Sequence, residues 1–368
     1  MAVRPKRGTA KGKLGGGDEL GHESGMRRHG FIIGFFLLLG CDDDVSKSDF
    51  ALPVEGELTP EALGELDAFL TGHEVAGSTE DLAFDPRPGG RGLVMGADGR
   101  LFSVAANGAA TMIETTGEDL SRVLGMAFDR DGRLYVADPG RKALMRVGTD
   151  GAVVLVAEGD GDEPFESPND VTVGPDGAVY LSDTCTGKFY ALTADGVVTD
   201  RVELDPAVDG GPNGVVVGPD GALWVTTENT ALFCADEVGI VDSLGGLYRI
   251  PVDEGGMFGP IETVARGVGV FGDGLVFDRV GNLYVIFDTV KDFALDETVV
   301  FARPREGGEL RRVLSARGKV WANLAFPPKD SGADYGLTTL YLSRLAVPPF
   351  VPIETRGLDR VELGIGGE

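Results

Sequence analysis

One strand–turn–strand unit recurs along this chain, and that repeat constrains its fold more than any other feature. Residues 125–136 (GMAFDRDGRLYV), 170–181 (DVTVGPDGAVYL), 214–225 (GVVVGPDGALWV) and 274–285 (GLVFDRVGNLYV) share one plan. Each has a short apolar strand, a turn containing Asp-Gly or Gly-Asn, and a second strand carrying an aromatic residue. The turn dipeptides supply the positive φ that tight hairpins need. Two degraded copies lie at Asp81–Asp85 with Gly92–Val94, and at Asn323–Phe326 with Leu340–Ser343. Further short apolar runs such as Ala143–Val147, Val153–Val156 and Phe189–Leu192 bring each unit to four strands.

Aligning the first strands puts residues 80, 124, 169, 213, 273 and 322 at one equivalent position. The spacing is close to that of propeller blades, with one longer insertion. No long run has a 3.6-residue period, which disfavours βαβ folds. The expected fold is all-β: a six-bladed β-propeller of four-stranded antiparallel blades over residues 66–368. The last copy supplies three strands, at Leu324–Phe326, Thr339–Leu342 and Asp359–Glu362. Asp67–Gly72 is expected to add the fourth and close the ring, removing exposed edges. Residues 60–70 also suit a short amphipathic helix, and both readings stay open.

Composition narrows function by exclusion. The 57 glycines in 368 residues show no Gly-X-Y period, so they mark turns rather than collagen. A formal net charge of −26 argues against nucleic-acid binding, which depends on clustered Lys and Arg. The three histidines are His22, His29 and His73. Two fall in the leader and His73 reads as a surface residue, which leaves no imidazole pair for a triad or a zinc site.

The first forty residues read as an address. A polar Gly- and Lys-rich stretch runs to residue 25; Met26-Arg27-Arg28 then precedes a short apolar run and Cys41. A basic flank, a run too short to span a bilayer and a small boundary residue describe a secretory signal. Leu38-Leu39-Gly40-Cys41 resembles the lipobox of bacterial lipoproteins, in which the Cys is lipidated. The expectations are a leader over 1–40 with Met26 as an alternative start, a solvated tether over 41–65, and export. Cys41 would be the sole membrane attachment of a monomer in the periplasm or at the cell surface. Cys185 and Cys234 form a disulfide or remain buried thiols; both are compatible with export.

The six equivalent residues are Glu80, Leu124, Asn169, Asn213, Asp273 and Ala322. A ring brings them to one end of the axis, so four oxygen-bearing side chains meet there. Two carboxylates converging in a funnel repel unless a cation or proton lies between them. Oxygen donors without His or Cys suit a hard cation, Ca2+ first, with Mg2+, Mn2+ or Zn2+ as alternatives.

These residues also resemble a known family. Ser167-Pro168-Asn169-Asp170, Gly211-Pro212-Asn213-Gly214 and Gly272-Asp273-Gly274, with Asp278 and Gly281, are similar to motifs of the senescence-marker-protein/gluconolactonase/luciferin-regenerating-enzyme family. The resemblance covers about residues 75–365. It implies a six-bladed propeller with one divalent metal on its axis, held by Glu80, Asn169, Asn213 and Asp273. Asp273 would be general base or nucleophile, with Asn169 or Asp170 also touching the substrate; Glu228, at the start of a long loop on the same face, is a further candidate for substrate contact. Two departures stand out. Glu80 lacks the Gly and Pro that usually follow, and Ser167 stands where sugar lactonases have an Arg. The implied activity is metal-dependent hydrolysis of a small lactone or similar ester. A phosphotriesterase-like hydrolase and a non-enzymatic binding propeller are the alternatives. The segments Glu228–Gly245 and Asp288–Glu297 read as long loops able to form a lid.

Overall fold

The computed structural model describes residues 52–75, 77–230, 234, 245–291, 294–330, 333–346 and 355–367. The leader, Cys41 and most of the Glu228–Gly245 segment lie outside the described residues.

A two-residue strand β1 (Glu61–Ala62) and a helix α1 (Gly64–Gly72) come first. The next sheet is β2 (Leu82–Phe84), β3 (Leu93–Ala97), β4 (Arg100–Val104) and β5 (Ala110–Ile113), in that spatial order. It is followed by β6 (Thr116–Gly117), β7 (Met126–Phe128), β8 (Leu134–Asp138), β9 (Ala143–Val147) and β10 (Ala152–Ala157), with β6 outside β10. The third sheet runs β11 (Pro168–Val173), β12 (Val179–Asp183), β13 (Lys188–Leu192) and β14 (Val198–Glu203). Two further sets share one eight-stranded sheet: β15 (Gly211–Val217), β16 (Leu223–Glu228), β17 (Gly245–Ile250) and β18 (Glu262–Gly269), then β19 (Phe271–Phe277), β20 (Leu283–Lys291), β21 (Ala294–Arg303) and β22 (Arg311–Ala316). They join through the single pair Glu228↔Phe271 of β16 and β19. The last sheet is β23 (Val320–Ala325), β24 (Thr339–Leu345) and β25 (Gly357–Glu362), with β1 on its edge. The fold is all-β and propeller-like.

The second strand of each set explains the packing. β3, β8 and β12 are buried along their whole length, on both faces, as expected of a strand covered by sheets on either side. Outer strands alternate: β14 buries Val198, Asp200 and Val202 more than the residues between them. Apolar clusters fill the spaces between consecutive sheets. One joins Val94 and Leu101 to Leu134 and Val136, and another joins Tyr135 and Leu144 to Leu181 and Tyr190. A cluster of Leu82, Leu93 and Phe102 with Tyr341 and Leu358 joins the first sheet to the last. Tight turns link first and second strands. In β11–β12, Gly177 takes φ +87° while Asp176 Oδ1 accepts the Ala178 N–H at 3.1 Å, the Asx chemistry of such turns.

The structure changes three expectations. Asp67–Gly72 is helical, and the strand that pairs with β25 is Glu61–Ala62. Leu63, Leu66 and Leu70, spaced three and four apart, are buried together against the first and last sheets, which is a helical period and not a strand's. The second set has a fifth strand, β6, running parallel to β10. Finally, Asp288–Glu297 is a hairpin rather than a loop: β20 and β21 pair from Leu283↔Arg303 to Lys291↔Ala294.

Candidate active site

The innermost strands β2, β7, β11, β15, β19 and β23 pack each against the next, and β23 packs against β2. In β11, β15, β19 and β23 the ladder shifts register at the same place, between Pro168/Val171, Pro212/Val215, Gly272/Leu275 and Trp321/Leu324. Such bulges leave a residue unpaired and re-aim its side chain. The re-aimed residues are Asn169, Asn213, Asp273 and Ala322, with Glu80 just before β2.

Hydroxyls on second strands fix this position from behind. Ser182 Oγ accepts the Asp170 N–H at 2.9 Å and donates to the Asn213 carbonyl at 2.6 Å. Thr226 accepts from Gly214 N–H at 2.9 Å and donates to the Asp273 carbonyl at 2.7 Å. Ser343 accepts from Asn323 N–H and donates to the Glu80 carbonyl. Each hydroxyl thus links one set of strands to the backbone of a candidate ligand in the next set. For Asn169 the donor is Gly125 N–H, at 2.7 Å.

The following position forms a second layer. Asp170 accepts both Val171 N–H and, across to β15, Val215 N–H, each at 2.8 Å. Asp81 does the same with Leu82 and Met126. Both carboxylates are bonded into the framework. Gly274 occupies this layer in β19; a Cβ there would lie 2.0 Å from Asn323 Oδ1, so the close approach requires glycine.

Side chains at the ends of second strands complete the site. Asn169 Nδ2 donates to Thr184 Oγ1 at 2.9 Å and to Glu228 Oε1 at 3.5 Å. The Asn213 amide also hydrogen-bonds Glu228. Both asparagines therefore direct an amide N–H at Glu228. Thr184 in turn donates to the Pro212 carbonyl at 2.7 Å. Beside it, Cys185 is disulfide-bonded to Cys234, with Cα atoms 5.4 Å apart. That settles the cysteine alternative in favour of the bridge.

The site is an unusual concentration of buried acid. Desolvation raises the affinity of Glu80, Asp273, Glu228 and Asp288 for protons. Asp273 stands well above the usual carboxylate range, pushed further by Glu80, Asp288, Glu228 and Asp170. Glu228 is pushed up to about 8 by burial and then by Glu80, and Asp288 to about 7 by burial. Asp170 is raised to about 7, mainly by burial, against the pull of its two backbone N–H donors. A basic side chain that reaches the cluster is Arg122, 4.0 Å from Glu80 and itself 63% exposed. Among the described residues no three His, Cys, Asp or Glu side chains are already gathered as a ligand set; a cation here would combine two carboxylates with two amide oxygens. Asp288 Oδ1 is buried without a hydrogen-bond partner, so the local chemistry fits an added cation.

Sequence reasoning missed Asp288, Thr184 and the hydroxyl links. A signal existed. Two residues after the second-strand aromatic stand Ser182, Thr226 and Ser343, and four residues after it stand Thr184, Glu228 and Asp288.

No family model matches the chain. A curated relative, strictosidine synthase-like protein 3 of Arabidopsis thaliana, is 31% identical over 156 residues, covering 35% of this chain and 39% of its own. The chain thus spans about two fifths of that relative's length. Among solved structures, a gluconolactonase from Xanthomonas campestris superposes with TM-score 0.58 at 19% identity, over 86% of this chain and 96% of its own. The calcium-binding protein regucalcin from Agrobacterium tumefaciens gives 0.59 at 19%, over 87% and 98%. A luciferin-regenerating enzyme gives 0.57 at 15%, over 84% and 97%. The fold is that of the gluconolactonase and regucalcin propellers. At these identities the likeness concerns fold, and the chemistry is argued from the site.

Proposed function

We propose that this protein is a divalent-metal-dependent hydrolase of a small lactone or similar ester, built on a six-bladed propeller. The eight-stranded sheet counts as two blades, since a single residue pair joins its halves, and β1 on β25 closes the ring. The metal reading is carried by Glu80, Asn169, Asn213 and Asp273, which stand at one repeated position and share one electrostatic neighbourhood through Glu228. These four would hold the ion, with Ca2+ first for an all-oxygen set. When bound, the cation supplies a Lewis acid that polarises a carbonyl and acidifies water.

The chain's own residues do the rest. Asp273, as general base, accepts the proton of the attacking water at a carboxylate oxygen. Glu228 orients both asparagine amides, and Asn169 and Glu228 are placed to touch substrate. Both oxygens of Asp170 serve backbone N–H groups, so beside them it holds β11 to β15. Thr184 and the adjacent disulfide hold Asn169 in place.

A lactone panel assayed with and without chelator tests this reading. Hydrolysis that disappears with chelator and returns with Ca2+ is expected; hydrolysis indifferent to chelator would remove the metal from the mechanism. Phosphotriesters in the same panel separate the two hydrolase classes. Export and anchoring through Cys41 belong to the same proposal. Labelled fatty acid should enter the full chain in a bacterial host and not the Cys41→Ala variant.

A further inference from the structure

Glu228, Phe271 and Asp288 form one row across three strands. β16 meets β19 at Glu228↔Phe271, and β19 meets β20 at Phe271↔Asp288. Partners directly opposite in an antiparallel ladder share a face, with Cβ atoms about 5 Å apart. The row sets one aromatic ring between two carboxylates, all three less than a tenth exposed.

The two acids differ in their surroundings. Glu228 accepts amide hydrogens from Asn169 and Asn213. Asp288 receives the Thr298 hydroxyl, while its Oδ1 is buried with no partner. Its charge acts on both Asp273 and Glu228, so it belongs to the same cluster. Leaving a buried carboxylate oxygen without a donor is costly. Arg122 acts on Glu80 and Glu228, and the first cause acting on Asp288 is burial itself. A divalent ion on the four-residue ring matches the charges of Glu80 and Asp273. Arg122 already acts on Glu228, which leaves Asp288 without a counter-charge of its own.

We infer that Asp288 and Glu228, with Phe271 between them, bind a positively charged nitrogen of the substrate, making the site selective for ammonium-bearing lactones or esters. The two carboxylates supply charge-assisted contacts to the cation. This inference rests on the hydrolase reading above and names its substrate class.

The test uses the full chain with saturating Ca2+ at one pH. kcat/KM is compared for a 2-(trimethylammonio)ethyl ester and its uncharged 3,3-dimethylbutyl isostere. The wild type is expected to prefer the cation by about tenfold or more, the scale of a charged contact. Asp288→Asn, which keeps the shape, should bring that ratio toward one. Equal rates on both esters in the wild type would overturn the inference while leaving the hydrolase reading intact. Hydrolysis of both that ignores chelator would instead break the metal reading, with the ratio still judging the ammonium site. Should neither ester be turned over, calorimetry with tetramethylammonium decides: saturable binding, about tenfold weaker in Asp288→Asn, is expected. No binding would overturn the inference. So would a second Ca2+ per chain that tetramethylammonium displaces, because the pair would then be a metal site.

Discussion

Asp81 and Asp170 lie one residue along the chain from Glu80 and Asn169, yet the two layers do opposite work. The carboxylates of Asp81 and Asp170 each accept two backbone N–H groups, one of them from the neighbouring sheet. Glu80, Asp273 and Asp288 have no such anchoring among the described residues; Asp273 faces four other acids, and Asp288 keeps an oxygen without a donor. Burial by itself therefore does not set purpose. Backbone donors make a buried carboxylate part of the scaffold, whereas acids left facing one another repel unless a cation or proton lies between them.

The comparison breaks most visibly at Asp273. Asp273→Asn keeps size and an oxygen but removes the anion, and turnover should fall by at least ~10²-fold on any substrate the wild type hydrolyses. Circular dichroism and melting should report an intact fold. Full activity would end the general-base role.

Removing a member of the anchored layer should act on stability. Asp170→Ala leaves the buried N–H groups of Val171 and Val215 without acceptors, and a loss of about 1–3 kcal/mol is expected from denaturant unfolding. Asp273→Asn in chelator at pH 8 should shift stability the other way, because it removes an acid whose ionised form burial and the neighbouring carboxylates disfavour. A melt that falls equally in both variants would erase the distinction between the layers.

The pH dependence follows from the raised acids. Asp170 and Asp288 move from 3.8 to about 7, and Glu228 from 4.5 to about 8. In this window the folded chain holds protons that the unfolded chain has released. Their contribution is therefore present below about pH 4 and is lost as pH rises through 7 to 8. Chelated protein should lose stability across that range, and Ca2+ should restore more of it at pH 8 than at pH 5. A stabilisation by Ca2+ that does not grow with pH would count against the cluster as its site.

The smallest expected effect concerns the links behind the ring. Ser182→Ala removes the hydroxyl between Asp170 N–H and the Asn213 carbonyl. It should cost about 1 kcal/mol and weaken Ca2+ modestly, read by melts with and without the ion.

Much of this was legible in the chain, and the reason is periodic. The Asp-Gly turns and aromatic second strands gave the sheets, and their phase put Glu80, Asn169, Asn213 and Asp273 at one position. Local signals that competed with the repeat were harder to read. The need for a closing strand favours Asp67–Gly72 as strand, while Leu63, Leu66 and Leu70 carry the helical spacing that the structure adopts. Asp288 reads as loop in the sequence because β20 extends past the length of its counterparts. The hydroxyl links of Ser182, Thr226 and Ser343 join residues up to 263 positions apart, and such contacts exist only once the ring has formed.

The most direct measurement is calorimetric titration of the chelated protein with Ca2+, for the wild type and for Asp273→Asn, Asn169→Ala and Asn213→Ala. One ion per chain is expected in the wild type, with binding weakened or lost in each variant. Wild-type protein that takes up no divalent ion, or variants that bind it as tightly as the wild type, would contradict a cation held by the repeated position.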